Sequence, residues 1–362
     1  MQKETISDRQ GITLMIMFLI GTAIVIVPGL DAKKDVWLAV AFTAIIASLV
    51  SLIYARLLST FPGKDIFDIM NIVLGIIPGK VISVLYIWFA FHLGALVLRN
   101  MGEFIRNVGL RYTPMVIPIL CISLLCMWGV KEGLELLGRM TEFFTPMILL
   151  FLVLTLLSLT PLMDINNILP IFYDGLPPLI KGSFSLFSFP YAETVVFTMI
   201  LCHLKTKKSP YKIYTYGILI YGILGVFIVL SVILVLGVDI TSNAYFPTYL
   251  AARKISLANF FQSFEIIVSL SFLIAGFIKL SICTLAACNG LSKIFGFKDY
   301  RFIVLPVTLL MVNLSLFVYD NIKQMYHWAL AVWPNYAFLF QVILPVILLT
   351  ASEIKLRSKK LA

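Results

Sequence analysis

Apolar stretches of about 20 residues, the length a helix needs to cross a hydrocarbon core of roughly 30 Å, recur along the whole chain between short polar breaks. A bilayer offers backbone polar groups no outside partner, so a segment of this kind must satisfy its own hydrogen bonds, and an α-helix does so. The composition agrees: 60% of the 362 residues are hydrophobic, only 13% are charged, and mean hydropathy is +1.00. These values exclude a soluble domain. The spacing predicts an all-α polytopic membrane protein with ten transmembrane helices, at 12–28, 36–58, 81–105, 114–128, 143–159, 179–203, 213–236, 260–287, 302–318 and 333–351. The whole of 1–362 is read as a single transmembrane domain.

A net charge of +10 invites a nucleic-acid reading, but the Lys and Arg residues fall between the apolar stretches and form no basic face. Sorted by the side of the membrane that each loop would occupy, 18 lie on one side and nine on the other, with Lys279 inside the eighth span. The positive-inside rule then predicts that both termini are cytoplasmic. The five cysteines lie in or at the ends of apolar segments and make no disulfide framework. The first apolar stretch carries no A-x-A-like cleavage site and is expected to be retained as a helix. The loops, of which 237–259 is the longest, are too short to hold a catalytic domain. No G-x-S-x-G or P-loop is present, and the spacing of His92, His203 and His327 matches no zinc motif. An enzyme, a metal and a cofactor are therefore not expected.

Two spans are interrupted by residues that weaken helices. The first holds Gly21, Thr22, Ala23, Ile24, Val25, Ile26, Val27, Pro28 and Gly29; the sixth runs through Gly182, Ser183, Ser185, Phe187, Ser188, Phe189, Pro190 and Tyr191 to Glu193. Each opens one half of a five-plus-five arrangement, with repeat one about 10–160 and repeat two about 178–352, the pattern of an inverted-repeat transporter whose broken helices 1 and 6 frame a central site. Unwound backbone and half-helix ends suit a carboxylate or an ammonium group, and an amino-acid-sized zwitterion fits that chemistry. The competing reading is that Gly and Pro merely permit close packing or a kink.

Three ionisable residues lie at membrane depth, where charge costs about 2.5 to 3.5 kcal/mol on insertion scales. Glu103 is spaced to pair with Arg99 or Arg106 on one helix face. Glu193 follows Pro190 and would either cap freed backbone groups or bind ligand or protons. Lys279 sits mid-span, where snorkelling is difficult. Its ammonium would stand where ion-coupled relatives hold sodium, pair with a carboxylate such as Glu193, or serve structure alone.

Asp8-Arg9-Gln10-Gly11-Ile12, the 21–28 interruption, Leu98-Arg99-Asn100-Met101-Gly102-Glu103-Phe104-Ile105, Thr113-Pro114, Phe189-Pro190-Tyr191-Ala192-Glu193 and Gly276-Phe277-Ile278-Lys279 together resemble the B subunit of GerA-type spore germinant receptors. That family belongs to the amino acid, polyamine and organocation permease superfamily, with the LeuT-like fold, and the resemblance covers essentially the whole chain. It implies a subunit in the inner membrane of a bacterial endospore that binds a nutrient germinant, an amino acid by class, and assembles with an A-type membrane subunit and a C-type lipoprotein. Carried over residue by residue, it places Gly21, Thr22, Ala23 and Ile24 with Ser185, Phe187, Ser188 and Tyr191 at the nutrient site, and Glu103 on a polar or water-filled path. The alternative within the same superfamily is a proton- or sodium-coupled amino-acid transporter.

Overall fold

The computed structural model of the protein describes residues 5–255 and 264–361, the side chains of the last four of these excepted. Fourteen α-helices, joined by 3-10 and π segments, account for the described residues, and no named strand occurs among them. Seven helical stretches are long and apolar enough to cross a bilayer. The shorter apolar helices α1 (Asp8–Ala23), α5 (Val116–Glu132) and α7 (Leu176–Ser188) complete ten. The protein is an integral membrane protein by this architecture. The start of the eighth predicted span, and the end of the long connection before it, lie outside the described residues.

The helix α1 begins on a capping box: the Ser7 hydroxyl accepts from the Gln10 amide at 3.1 Å, and the Gln10 side chain accepts from the Ser7 amide at 3.0 Å. From Leu14 to Ala23 every residue is buried, so this helix is apolar on all sides because it is enclosed on all sides. Its enclosure consists mainly of α6 (Leu134–Leu159), α8 (Ser209–Asn243) and α10 (Phe264–Phe295). Further out, α2 (Val36–Thr60) packs along α8 and α7, and α4 (Ile76–Val108) packs along α10 and α11 (Val304–Phe317). The short helices α3 (Ile66–Leu74) and α9 (Pro247–Arg253) lie between the long ones in sequence.

The last span differs from its sequence reading. It starts at Ile322, as α12 (Ile322–His327), and continues through a π segment at Trp328–Val332, α13 (Trp333–Phe338), a second π segment at Leu339–Ile343 and α14 (Leu344–Leu361). The polar run Tyr319-Asp320-Asn321 and Lys323-Gln324 lowers local hydropathy and hides this earlier start. His327, expected in a loop, therefore ends a helix, and Trp328 enters the bundle.

Candidate ligand site at the interrupted helices

Gly21 leaves helical geometry, with φ 6° and ψ −114°, and α1 ends two residues later. Pro28 follows, and Gly29 adopts φ 79°, a left-handed conformation that glycine tolerates without strain. The turn brings Gly29 against α7: a Cβ on Gly182 would lie 2.7 Å from the Gly29 carbonyl oxygen, so the two backbones meet only because both positions are glycine. In the other half, α7 stops at Ser188, Phe189 is extended, and the chain resumes as a 3-10 helix over Tyr191–Met199. The carbonyl of Ser188, left without a helical partner, accepts from Trp333 Nε1 at 3.2 Å and from Gln341 Nε2 at 2.8 Å.

Beside these two interruptions sits a fully buried ion pair. Lys279 Nζ donates to Glu193 Oε2 at 2.5 Å, with side-chain exposures of 0% and 1%. The ammonium also lies 4.9 Å from the Phe18 ring centre and 5.2 Å from that of Phe189, within cation–π range. Gly21 makes room for it, since a Cβ there would stand 2.7 Å from Lys279 Cδ. Of the readings open for Lys279, the geometry displays the pairing with Glu193.

Two small cavities flank the interruption. One of about 30 Å³ is lined by Thr22, Asn100, Phe189, Glu193, Tyr319, Trp328 and Trp333, with apolar walls from Leu93, Leu96 and Val97. Thr22 Oγ1 and Trp328 Nε1 are buried there, and neither has a hydrogen-bond partner among the described residues. The second, about 20 Å³, is lined by Ala23, Ile24, Pro28, Tyr191, Tyr221 and apolar neighbours, and the Tyr191 hydroxyl is likewise unpartnered. Each holds a water-sized object, so a larger ligand requires the walls to part.

The residues singled out from sequence thus separate. Gly21 and Thr22 contact the charged side of the site, while Ala23, Ile24 and Tyr191 line the opposite cavity. Ser188 presents its carbonyl to α13 and the π segment beyond it. Ser185 is buried within α7, and Phe187 turns to an apolar groove against α2 that Phe42, Ile46 and Val50 share. Glu103 lies in a separate network: Arg99 donates to its Oε1 at 3.0 Å, and Arg106 and Asn107 donate to its Oε2 at 2.8 and 3.2 Å. Sequence reasoning missed Asn100, Trp328, Trp333 and Gln341. Trp328 fell outside the last span as it was read from residue 333 on, and nothing local marks Trp333 as turned toward the sixth span.

A family description, "Spore germination protein", matches residues 5–325. The chain is 29% identical to "Spore germination protein KB" of Bacillus subtilis (strain 168) over 355 residues, covering 96% of this chain and 94% of that one. It is 25% identical to "Spore germination protein YndE" of the same organism, over 83% of this chain and 85% of that one. Among solved structures, Mhp1, a nucleobase-cation-symport-1 family transporter in a closed conformation with bromovinylhydantoin bound, superposes with a TM-score of 0.62 over 92% of this chain and 74% of its own, at 12% identity. That likeness identifies a LeuT-type transporter fold.

Proposed function

The chain belongs to the spore germination permease family, and from that premise we propose that it is the nutrient-sensing membrane subunit of a spore germinant receptor. In this reading it binds an amino-acid-sized germinant where α1 and α7 give way. One observation carries it: Thr22 and Trp328, whose Oγ1 and Nε1 are both buried and unpartnered among the described residues, line the same cavity as Glu193. Buried polar atoms are almost always paired, so two such atoms on the lining of one cavity support a polar ligand there. The subunit acts in the inner membrane of the endospore with an A-type membrane subunit and a C-type lipoprotein, both termini on the cytoplasmic side as the Lys and Arg asymmetry indicates. Binding that parts the cavity walls would tilt the bundle between two packings and so signal to the partners.

Thr22→Val keeps the shape of the side chain and removes only the hydroxyl. Because that hydroxyl has no partner to lose, protein abundance and thermal stability should stay at wild-type values, while the nutrient concentration for half-maximal germination should rise about tenfold, the worth of one ligand hydrogen bond of roughly 1.4 kcal/mol. An unchanged dose response in Thr22→Val, and again in Trp328→Phe, would remove the site from this cavity.

The fold shared with a cation symporter supports a second reading, a proton- or sodium-coupled amino-acid transporter. Radiolabelled amino-acid uptake by proteoliposomes holding this chain alone separates the two. The receptor reading expects binding without accumulation, and concentrative uptake would replace it with the transporter.

A further inference from the structure

Lys279 and Glu193 present, inside the protein, the two charges that an α-amino acid carries. The ammonium meets one carboxylate oxygen at 2.5 Å and rests near the Phe18 and Phe189 rings, and the carboxylate together with Phe189 lines the cavity that holds the orphaned Thr22 hydroxyl. The pair is therefore both closed on itself and open to the cavity on one side. We propose that an amino-acid germinant binds by splitting this pair, its ammonium taking the Glu193 carboxylate and its carboxylate taking the Lys279 ammonium. The proposal rests on the reading of this cavity as the nutrient site and adds the two charged anchors that hold the ligand there.

Charge arithmetic separates the classes of ligand that could split the pair. A lone cation that displaced Lys279 from Glu193 would leave that ammonium unpaired in a membrane interior, and a lone anion would do the same to Glu193; both outcomes are strongly unfavourable. A neutral ligand such as a sugar gains nothing from either charge. A zwitterion leaves every charge paired, exchanging one internal ion pair for two across the site. Gly21 supports the exchange, since Lys279 packs where a Cβ at position 21 would sit and any side chain there would crowd it. The lysine occupies the anchor that the ligand's ammonium will take.

The test uses the full chain in its receptor, in spores, and the purified chain in nanodiscs, with a mixture of proteinogenic L-amino acids as probe. A single substitution strands a buried charge and can prevent folding, so the informative variant is the apolar double, Glu193→Leu with Lys279→Met. It should accumulate and melt like the wild type, yet its binding of the mixture and its germination response should fall at least tenfold, since two charge-assisted contacts are lost. The methyl esters of the same amino acids, which lack the carboxylate, and their N-acetyl derivatives, which lack the ammonium, should bind wild type at least tenfold more weakly than the free acids. Wild-type binding by a well-folded double variant, or equal binding of free acids and esters, would overturn the proposal while leaving the cavity as a nutrient site. A wild-type chain that binds none of the probes, while a sugar or nucleoside protects the same cavity, would overturn it too. Loss of the Thr22→Val effect bears on the parent reading instead.

Discussion

Two carboxylates at membrane depth are held in different ways. Glu103 receives Arg99, Arg106 and Asn107, and Arg99 in turn donates to the carbonyls of Ser315 and Leu316 at 3.1 Å, tying α4 to the end of α11. Every strong acceptor there is engaged, which suits a fastener. Glu193 holds a single ammonium and borders a cavity, which suits a partner that exchanges. Glu103→Ala should therefore destabilise the protein by about 3–5 kcal/mol, because it leaves Arg99 buried and uncompensated. Arg106 is 40% exposed, so Arg106→Ala should cost no more than about 1 kcal/mol. Unfolding midpoints in mild detergent check both, and near-equal losses would mean that Glu103 is not a fastener. Lys279, Glu193 and Glu103 were all visible in the sequence as charges in apolar runs. Which of them share a site was not, because 86 residues separate Lys279 from Glu193 and nothing local encodes their meeting.

At the scale of elements, the last span holds the sixth in place. Gln341 lies in a π segment, where the wider turn redirects backbone bonds, and the carbonyls around it are taken by tyrosines: Tyr86 donates to Phe340 O at 2.9 Å and Tyr54 to Gln341 O. The Gln341 amide then reaches the Ser188 carbonyl at the open end of α7. Gln341→Leu fits the space but drops that donor, so it should lower stability by about 1–3 kcal/mol, and it should also weaken the nutrient response by loosening the end of α7. A stability loss without any change in response would confine Gln341 to structure. The sequence announced the Gly21 and Pro190 interruptions, since Gly and Pro act locally. It did not announce their supports: a π segment arises from packing, and Ile322 to Val332 carry too many polar residues to read as a span.

The ten apolar helices were legible across the whole molecule, because the bilayer imposes one length on every span. Contacts between distant loops were not. The N-terminal segment is one: the Ile6 amide donates to the His203 carbonyl at 3.4 Å, and Lys212 pairs with Asp8 at 3.2 Å, so the start of α1 is fastened to the chain that leaves the second interruption. At the C-terminal end of α10, Lys293 meets Asp65 and Asp68, each at 2.6 Å, joining it to the start of α3. These ties join elements distant in sequence and should limit how far the bundle opens. Asp68→Asn removes one arm of this tie at a part-exposed position while Lys293 stays paired with the buried Asp65, and it should raise nutrient sensitivity with little loss of abundance; a dose curve shifted to higher nutrient concentration would show instead that the tie is needed for the responsive state.

The site itself is best tested by cysteine protection. In a background with Cys121→Ser and Cys202→Ser, which removes the thiols that are not buried, Thr22→Cys and Ile46→Cys are each treated with a small thiol reagent, with and without saturating L-amino acids. Nutrient should slow modification at position 22, beside the Glu193–Lys279 pair, and leave position 46, in the apolar groove against α7, unchanged. Equal rates at position 22 with and without bound nutrient would contradict a ligand site at the interrupted helices.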